Sequence, residues 1–163
     1  MLTEAEKRLR RCCFTGHRPH KLKQPSSLVK EKLNESIRRA IDDGYTVFIT
    51  GMAPGVDIWA AQIVLRYRDE GHPIRLICAI PYKGFESRWS DSWKEQYCKV
   101  LEVADLIKYI CPGYSKECFQ IRNEWMVNHA ARVIAVYNGE PSGTRNTIKY
   151  ARSQNVPIDM IEG

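Results

Sequence analysis

The sequence predicts an α/β fold of three layers, in which helices cover both faces of a mainly parallel sheet. Short β-branched apolar runs alternate with longer segments of helical period along the whole chain. Because the short runs are almost continuously apolar, we expect both faces of the sheet to be buried, as in parallel sheets. Each strand would lead through a right-handed crossover helix to the next strand.

Six segments have the length and composition of buried strands, and five longer segments between them have helical period. The predicted strands are Arg11–Thr15, Tyr45–Thr50, Ile74–Ile80, Leu106–Ile110, Val133–Tyr137 and Val156–Ile161. The predicted helices are Ser27–Asp42, Pro54–Glu70, Ser87–Val103, Lys116–Ala131 and Thr144–Ser153. Pro54 suits the first turn of its helix, and Ser142 or Thr144 can cap the last helix.

Length and composition favour a single domain over residues 1–163. The chain has 163 residues, of which 44% are apolar, enough for one core and too many for a disordered polymer. No apolar run approaches the roughly 20 residues that span a bilayer. The N-terminus also lacks the apolar segment of a secretion signal. We therefore expect a cytoplasmic protein with no membrane partner.

The cysteines and the charges exclude several classes of site. The six cysteines form neither a CxxC pair nor a zinc-spaced set with histidine, so the sequence predicts reduced thiols, no metal site and no cofactor. Residues 1–23 hold seven Lys and Arg against two Glu, and so carry +5 of the net charge of +6. This asymmetry predicts a basic arm or an anion-facing loop, and not a uniformly basic coat for nucleic acid.

The loops that leave the predicted strands differ in composition from those that enter them. Glycine, hydroxyl and basic residues collect in the leaving loops, which read TGHRPHK, TGMAPGVD, PYKGFE, CPGYS and YNGEPSGT. In open α/β sheets, ligands bind outside the carboxyl ends of the strands, where helix N-termini offer free N–H groups to anions. A phosphate-bearing small molecule is therefore the leading ligand class.

The first two leaving loops supply eight candidate ligand-binding residues. The first loop combines a hydroxyl, a glycine and the planar donor fork of an arginine, and the local excess of positive charge favours a ligand site over the alternative, an ordinary turn with a solvated arginine. In the second loop, the glycines let the backbone curl around a phosphate or ribose. Its aspartate either binds a ribose hydroxyl or is stabilised by the helix dipole. The candidates are Thr15, Gly16, His17, Arg18, Gly51, Met52, Gly55 and Asp57.

Two later segments add candidates from the last two predicted helices. Small residues and hydroxyls at the start of the last helix suit a phosphate, with a simple capped turn as the alternative. On the preceding helix, an arginine lies near enough to the N-terminus to reach back over the strand ends, or else forms a surface salt bridge. These candidates are Gly139, Ser142, Gly143, Thr144, Arg122 and Asn123.

An aromatic residue recurs every four positions at Phe85, Trp89, Trp93 and Tyr97. This spacing places the rings on one face of a helix. Core packing is favoured over base stacking. An apolar face of this size also predicts a homodimer through Trp89, Trp93 and Tyr97.

Six motifs, in order and at matching spacing, resemble the YpsA-like branch of the SLOG superfamily across nearly the whole chain. They are CCFTGHRP, FITGMAPGVDIWAA, IPYKGFESRW, the AD before the fourth strand, RNEWMVNHA and IAVYNGEPSGT. The resemblance implies a Rossmann-like sheet that binds a nucleotide or a ligand derived from NAD or ADP-ribose, and it adds Pro81 to the candidate residues. Relatives include cytokinin-activating phosphoribohydrolases and the DNA-processing protein DprA.

The chain departs from the enzymatic relatives at one acidic position. The phosphoribohydrolases carry PGGxGTxxE, whereas this chain has Thr147 where that glutamate would fall. Arg122 and Met126 still match the spacing of the enzymes' RKxxM helix. Glu124 and Glu140 are the available substitutes, but nothing in the sequence brings either one to a scissile bond. The sequence therefore predicts no catalytic residue.

Three functions follow from these observations. The leading hypothesis is binding of a nucleotide or an ADP-ribose-like ligand, by which the protein senses or sequesters it. The second is an N-glycosidase or phosphoribohydrolase acting on such a ligand. The third is DprA-like binding of single-stranded nucleic acid, which would depend strongly on salt.

Overall fold

The computed structural model describes all 163 residues and contains a six-stranded, fully parallel sheet. The strands are β1 (Arg11–Thr15), β2 (Val47–Thr50), β3 (Arg75–Ile80), β4 (Leu106–Tyr109), β5 (Arg132–Tyr137) and β6 (Ile158–Glu162). Their order across the sheet is β4-β3-β2-β1-β5-β6. Strands β2, β3 and β4 therefore lie in succession on one side of β1, whereas β5 and β6 lie on its other side.

Helices cover both faces of this sheet, which confirms the predicted α/β fold. The helices are α1 (Glu4–Arg8), α2 (Ser26–Asp42), α3 (Val56–Asp69), α4 (Asp91–Val103), α5 (Cys118–Asn128) and α6 (Gly143–Ser153). One face packs under α2, α3 and α4, around Phe14, Phe48 and Leu33. The other packs under α5 and α6, around Ile49 and Met126. The sequence analysis missed α1 and a short 3-10 helix at Pro19–Lys21.

Three predicted helices begin too early along the chain. α3 begins at Val56 and not at Pro54, because Gly55 enters the helix with a φ of 93° that breaks helical geometry. α4 begins at Asp91, where the Ser90 side chain accepts a hydrogen bond from the Trp93 N–H, and residues 81–89 form turns instead. α5 begins at Cys118, after a loop that residues 110–117 form.

The aromatic residues at four-residue spacing do not share one helix face. Phe85 and Trp89 precede α4, and only Trp93 and Tyr97 belong to it. Tyr97 is buried, with its ring centroid 5.3 Å from that of Trp89, and Trp93 lies against Trp59. The rings thus pack within one protomer, as the core interpretation predicts.

The homodimer stays a prediction. The rings of Trp89 and Trp93 are partly exposed, so part of the predicted interface is accessible to a second copy. Light scattering at micromolar concentration should then give twice 18.9 kDa. A mass of 18.9 kDa would assign these rings to the protomer core alone.

The basic N-terminal segment is divided between the two edges of the sheet. α1 and the residues around the start of β1 place Lys7, Arg8, Arg10 and Arg11 at the amino edge. β1 then runs from the amino edge to the carboxyl edge of the sheet, and the loop after it places Arg18, Lys21 and Lys23 at the carboxyl edge. The charge asymmetry of the sequence therefore corresponds to two separate basic surfaces.

No helix in the structure is long and apolar enough to cross a membrane. All six cysteines are free thiols. Four of them are buried, whereas Cys98 is exposed and Cys111 is half-buried.

Candidate functional site

A cavity of about 290 Å³ opens at the carboxyl edge of the sheet, beside β1. It lies where the strand order reverses between β1 and β5, the position at which open α/β sheets bind their ligands. The structure brings ten of the fifteen candidate residues to its wall. These are Thr15, Gly16, His17, Arg18, Asp57, Arg122, Asn123, Ser142, Gly143 and Thr144.

The N-terminus of α6 forms the part of the wall best suited to an anion. The Ser142 side chain caps the helix by accepting a hydrogen bond from the Arg145 N–H at 3.2 Å. The N–H groups of Gly143 and Thr144 have no acceptor within the protein. Because the helix dipole adds partial positive charge here, a phosphate would complete both donors.

Arg122 is buried and holds the ends of two strands together. Its Nη1 donates to the Gly51 carbonyl and, at 3.2 Å, to the Ala79 carbonyl, while its Nε donates to the Asn123 side chain at 2.9 Å. It is only 5% exposed and forms no salt bridge, so the surface salt-bridge alternative is wrong. The Nη2 group makes no hydrogen bond within the protein, which leaves that donor to face a ligand.

Asp57 is a buried carboxylate with one unsatisfied oxygen. Its Oδ2 accepts a hydrogen bond from the Ala53 N–H at 3.2 Å, whereas its Oδ1 has no partner. Burial raises the pKa of Asp57 to about 6, although the Arg122 charge and the Ala53 N–H oppose the shift. Both predicted roles fit this position, because Asp57 lies in the first turn of α3 and also lines the cavity.

The raised pKa of Asp57 predicts a pH-dependent stability. The Asp57 carboxyl binds its proton more tightly in the folded protein than in the unfolded chain, where its pKa is near 3.8. The folded state is therefore most stable relative to the unfolded state below pH 4, and part of that free energy of unfolding is lost as the pH rises toward 6. Relative to an Asp57→Asn variant, the free energy of unfolding should fall by roughly 3 kcal/mol across this window. Denaturant unfolding of both proteins from about pH 3 to pH 7 measures the difference. A pH-independent difference would contradict the shift.

His17 is a neutral imidazole that carries its proton on Nδ1. Its Nε2 accepts a hydrogen bond from the Asn138 backbone N–H at 3.1 Å, so Nε2 holds no proton. Burial lowers the pKa of His17, and the positive charge of Lys21 lowers it further. His17 therefore lines the cavity as an uncharged donor and not as a cation.

Two cations at the mouth of the cavity have no counter-ion. Arg18 and Lys21 both line it, and neither forms an ion pair within the protein. The guanidinium of Arg18 lies 5.9 Å from the Trp89 ring centroid. Since Asp57 is the one carboxylate in the wall, the cavity favours an anionic occupant.

Part of the cavity wall is aromatic, which the sequence analysis did not predict. Phe85 and Phe119 line the cavity with ring centroids 5.8 Å apart. Phe85 was visible in the four-residue aromatic spacing, but that pattern indicated a helix face and not a ligand contact. No motif or spacing in the sequence around Phe119 indicated a ligand contact. The other lining residues missed are Phe14, His20, Lys21, Ala53 and Met126.

Five candidate residues lie outside the wall, and three of them have clear structural roles. A Cβ at Gly51 would lie 2.6 Å from Arg122 Nη1, so glycine lets that arginine reach the strand ends. Gly55 lets α3 approach the first loop closely, because a Cβ at this position would lie only 2.8 Å from the His17 carbonyl oxygen. Met52 is fully buried and adopts a φ of 62°. The other two candidates, Gly139 and Pro81, also do not line the cavity.

Gly16 lines the cavity but is a glycine for a different reason than predicted. A Cβ at this position would overlap the Val56 side chain at the start of α3. The absence of a side chain therefore allows close packing between the first loop and α3, whatever occupies the cavity.

The available substitutes for the missing glutamate lie away from the cavity. Glu140 pairs with Lys23 at 2.9 Å, and Glu124 accepts a hydrogen bond from Gln120 at 3.0 Å. Thr147 donates its hydroxyl hydrogen to the Gly143 carbonyl at 2.9 Å, so it is engaged within α6. No group of three His, Cys, Asp or Glu side chains in the structure is arranged to hold a metal ion.

Comparison with protein families agrees with the motifs and the fold. The model of the YspA SLOG family matches residues 12–162. The chain belongs to this SLOG family. Its similar relatives include the uncharacterized SPbeta prophage-derived protein YoqJ of Bacillus subtilis, 36% identical over 146 residues, which cover 80% of this chain and 85% of YoqJ. A UPF0398 protein of Halalkalibacterium halodurans is 24% identical over 158 residues, with 90% and 84% covered. The predicted SLOG resemblance is thus confirmed.

Solved structures show that this SLOG protein shares its fold with DprA proteins. DprA from Streptococcus pneumoniae superposes with a TM-score of 0.66 at 17% identity, covering 95% of this chain and 51% of that one. The chain thus spans about half the length of that DprA. DprA from Helicobacter pylori, described for its single-stranded DNA binding mode, gives 0.67 at 18% identity, with 98% and 68% covered. At these identities the likeness concerns the fold alone.

Proposed function

We propose that this SLOG protein binds a nucleotide or a small molecule derived from NAD or ADP-ribose, and acts by sensing or sequestering it. The observation that carries the proposal is the composition of the cavity wall. Two free N–H groups at Gly143 and Thr144 face the same cavity as the rings of Phe85 and Phe119. A ligand with phosphate at one end and a flat base at the other satisfies both.

Each part of such a ligand has a matching group in the wall. The phosphate occupies the N-terminus of α6, where Arg18 adds positive charge. A ribose hydroxyl donates to the carboxylate of Asp57, which lines the cavity. Nη2 of Arg122 and Nδ1 of His17 supply donors for the remaining oxygens, and the base lies against the aromatic wall.

The replacement of the related enzymes' glutamate favours binding over hydrolysis. An N-glycosidase needs an acid or base within reach of the bond that it breaks. Thr147 stands where the related enzymes have glutamate, and its hydroxyl is engaged with the Gly143 carbonyl. Asp57 is the wall's one carboxylate, and in this proposal it accepts a ribose hydroxyl.

Native mass spectrometry of protein purified from cells tests the proposal, together with calorimetry using AMP, NAD and ADP-ribose. We expect a retained nucleotide-sized mass or micromolar binding of at least one probe. Absence of both would overturn the proposal. Release of the base during incubation would assign the site to an N-glycosidase instead. Tighter binding of oligo-dT that weakens steeply with salt would assign it to nucleic acid.

A further inference from the structure

A second groove, of about 260 Å³, lies at the amino edge of the sheet, opposite the candidate site. It crosses the starts of β1 to β4, and α1 borders it. Its apolar lining consists of Leu2, Val47, Ile77 and Leu106, and its cations include Lys7, Arg10 and Arg75. The groove therefore combines an apolar floor with a basic rim, and the proposed function does not involve it.

The three rim cations lack the partners that neighbouring arginines have. Arg8 donates to the Ala130 and Val127 carbonyls, and Arg11 pairs with Glu4 at 2.6 Å. In contrast, the side chains of Lys7, Arg10 and Arg75 make neither a hydrogen bond nor an ion pair. All three are exposed, so their charges are available to a partner.

The acids near the groove offset these cations only in part. Asp105 lines the groove, but its Oδ2 already accepts from Arg68 and from the Leu76 N–H, both at 2.8 Å. On α1, Glu4 pairs with Arg11 and also feels the charge of Lys7, and Glu6 feels the charge of Arg10. Since Asp105 is the one acid in the lining, the groove keeps a net positive charge.

The apolar floor extends to the edge of the sheet. β4 is the edge strand, and all four of its residues are exposed. Leu106 is 51% exposed beside Ile77, its neighbour in the ladder, and Leu2 is 42% exposed. Lys108 lies two residues beyond Leu106 on the same face and pairs with no carboxylate. The amino edge thus presents apolar side chains next to basic ones on one continuous surface.

We propose that this groove docks an acidic, extended segment of a partner protein, in which apolar side chains alternate with carboxylates. The apolar side chains cover Ile77 and Leu106, while the carboxylates pair with Lys7, Arg10 and Arg75. An acidic peptide fits better than nucleic acid, because the groove has four apolar side chains and no aromatic ring on which a base stacks.

Fluorescence anisotropy with a labelled ten-residue peptide of alternating Glu and Leu tests this docking surface. Binding should weaken as salt is added, and a peptide of alternating Glu and Ser should bind at least tenfold more weakly. The double variant Arg10→Glu, Arg75→Glu should reduce affinity at least tenfold, and Leu106→Ser about threefold. Since these side chains are exposed, the variants should keep the wild-type melting temperature.

A matched double variant separates a local surface from net charge. Lys149→Glu with Arg152→Glu makes the same charge change on α6, at exposed residues without ion pairs, and should leave peptide affinity within twofold. An equal loss in both double variants would overturn the proposal, as would failure of the Glu–Leu peptide to bind. Tighter binding of oligo-dT that the Arg10 and Arg75 substitutions abolish would assign the groove to nucleic acid.

Discussion

Gly143→Val should abolish ligand binding while the protein remains folded. Gly143 begins α6, and a Cβ there would meet only the Asn123 Nδ2 atom, at 4.0 Å, so the valine side chain fits the fold. It would enter the cavity, however, and keep a phosphate away from the N–H groups of Gly143 and Thr144. We expect calorimetry with ADP-ribose to show at least a hundredfold loss, about 3 kcal/mol of binding free energy.

A second glycine on the same edge of the sheet provides the control. A Cβ at Gly113 would have no other atom within 4 Å, and Gly113 does not line the cavity. Gly113→Val should therefore leave both the melting temperature and the affinity unchanged. Full affinity in a folded Gly143→Val variant would remove the N-terminus of α6 from the ligand site.

Arg122→Lys should lower both stability and affinity, although it keeps the charge. Lysine lacks the fork that reaches the carbonyls of Gly51 and Ala79 and the Asn123 side chain together. Buried carbonyls without donors destabilise the folded state, so we expect a loss of about 2–4 kcal/mol in the free energy of unfolding. Because Nη2 is also lost, ADP-ribose affinity should fall at least tenfold at a temperature where the variant is folded.

Denaturant unfolding and calorimetry on the same Arg122→Lys sample separate the two roles. Arg38→Lys is the matched control, since Arg38 is exposed on α2 and pairs only with Asp42. That substitution should change neither quantity, because exposed pairs contribute only about 0–1 kcal/mol. Loss of stability with undiminished affinity would make Arg122 a purely structural residue.

Local sequence patterns predicted most of the architecture, because strands and helices differ in the period of their apolar residues. β1 begins and ends where predicted, and the other strands differ by one or two residues at their ends. The helix starts were harder to place. Phe85 and Trp89 share the four-residue spacing of Trp93 and Tyr97, yet they lie in turns. Gly84 has a φ of 92°, which is not helical, and the Ser90 cap starts α4 only at Asp91.

The candidate site was predictable where its chemistry lies in loops after strands. In a parallel sheet these loops all meet at one edge, so His17, Asp57 and Gly143 line one cavity as that topology requires. Phe119 was not predictable, because the sequence pattern of a ring in the first turn of a helix is the same whether the ring faces a core or a ligand. Lys21 was missed because the 3-10 helix that presents it has no periodic signal.

The sequence by itself determined the α/β class, the family and the edge of the sheet at which most of the candidate residues collect. Those properties depend on composition, spacing and motifs that are local in the chain. Only the tertiary structure decided that Arg122 is buried and links the ends of β2 and β3 by hydrogen bonds. It also decided that Gly16 makes room for the Val56 side chain, and that the N-terminal charges lie at two opposite edges of the sheet. The first two depend on contacts between residues distant in sequence, for which local periodicity has no signal. The third depends on the path of β1, which runs from the amino edge of the sheet to the carboxyl edge.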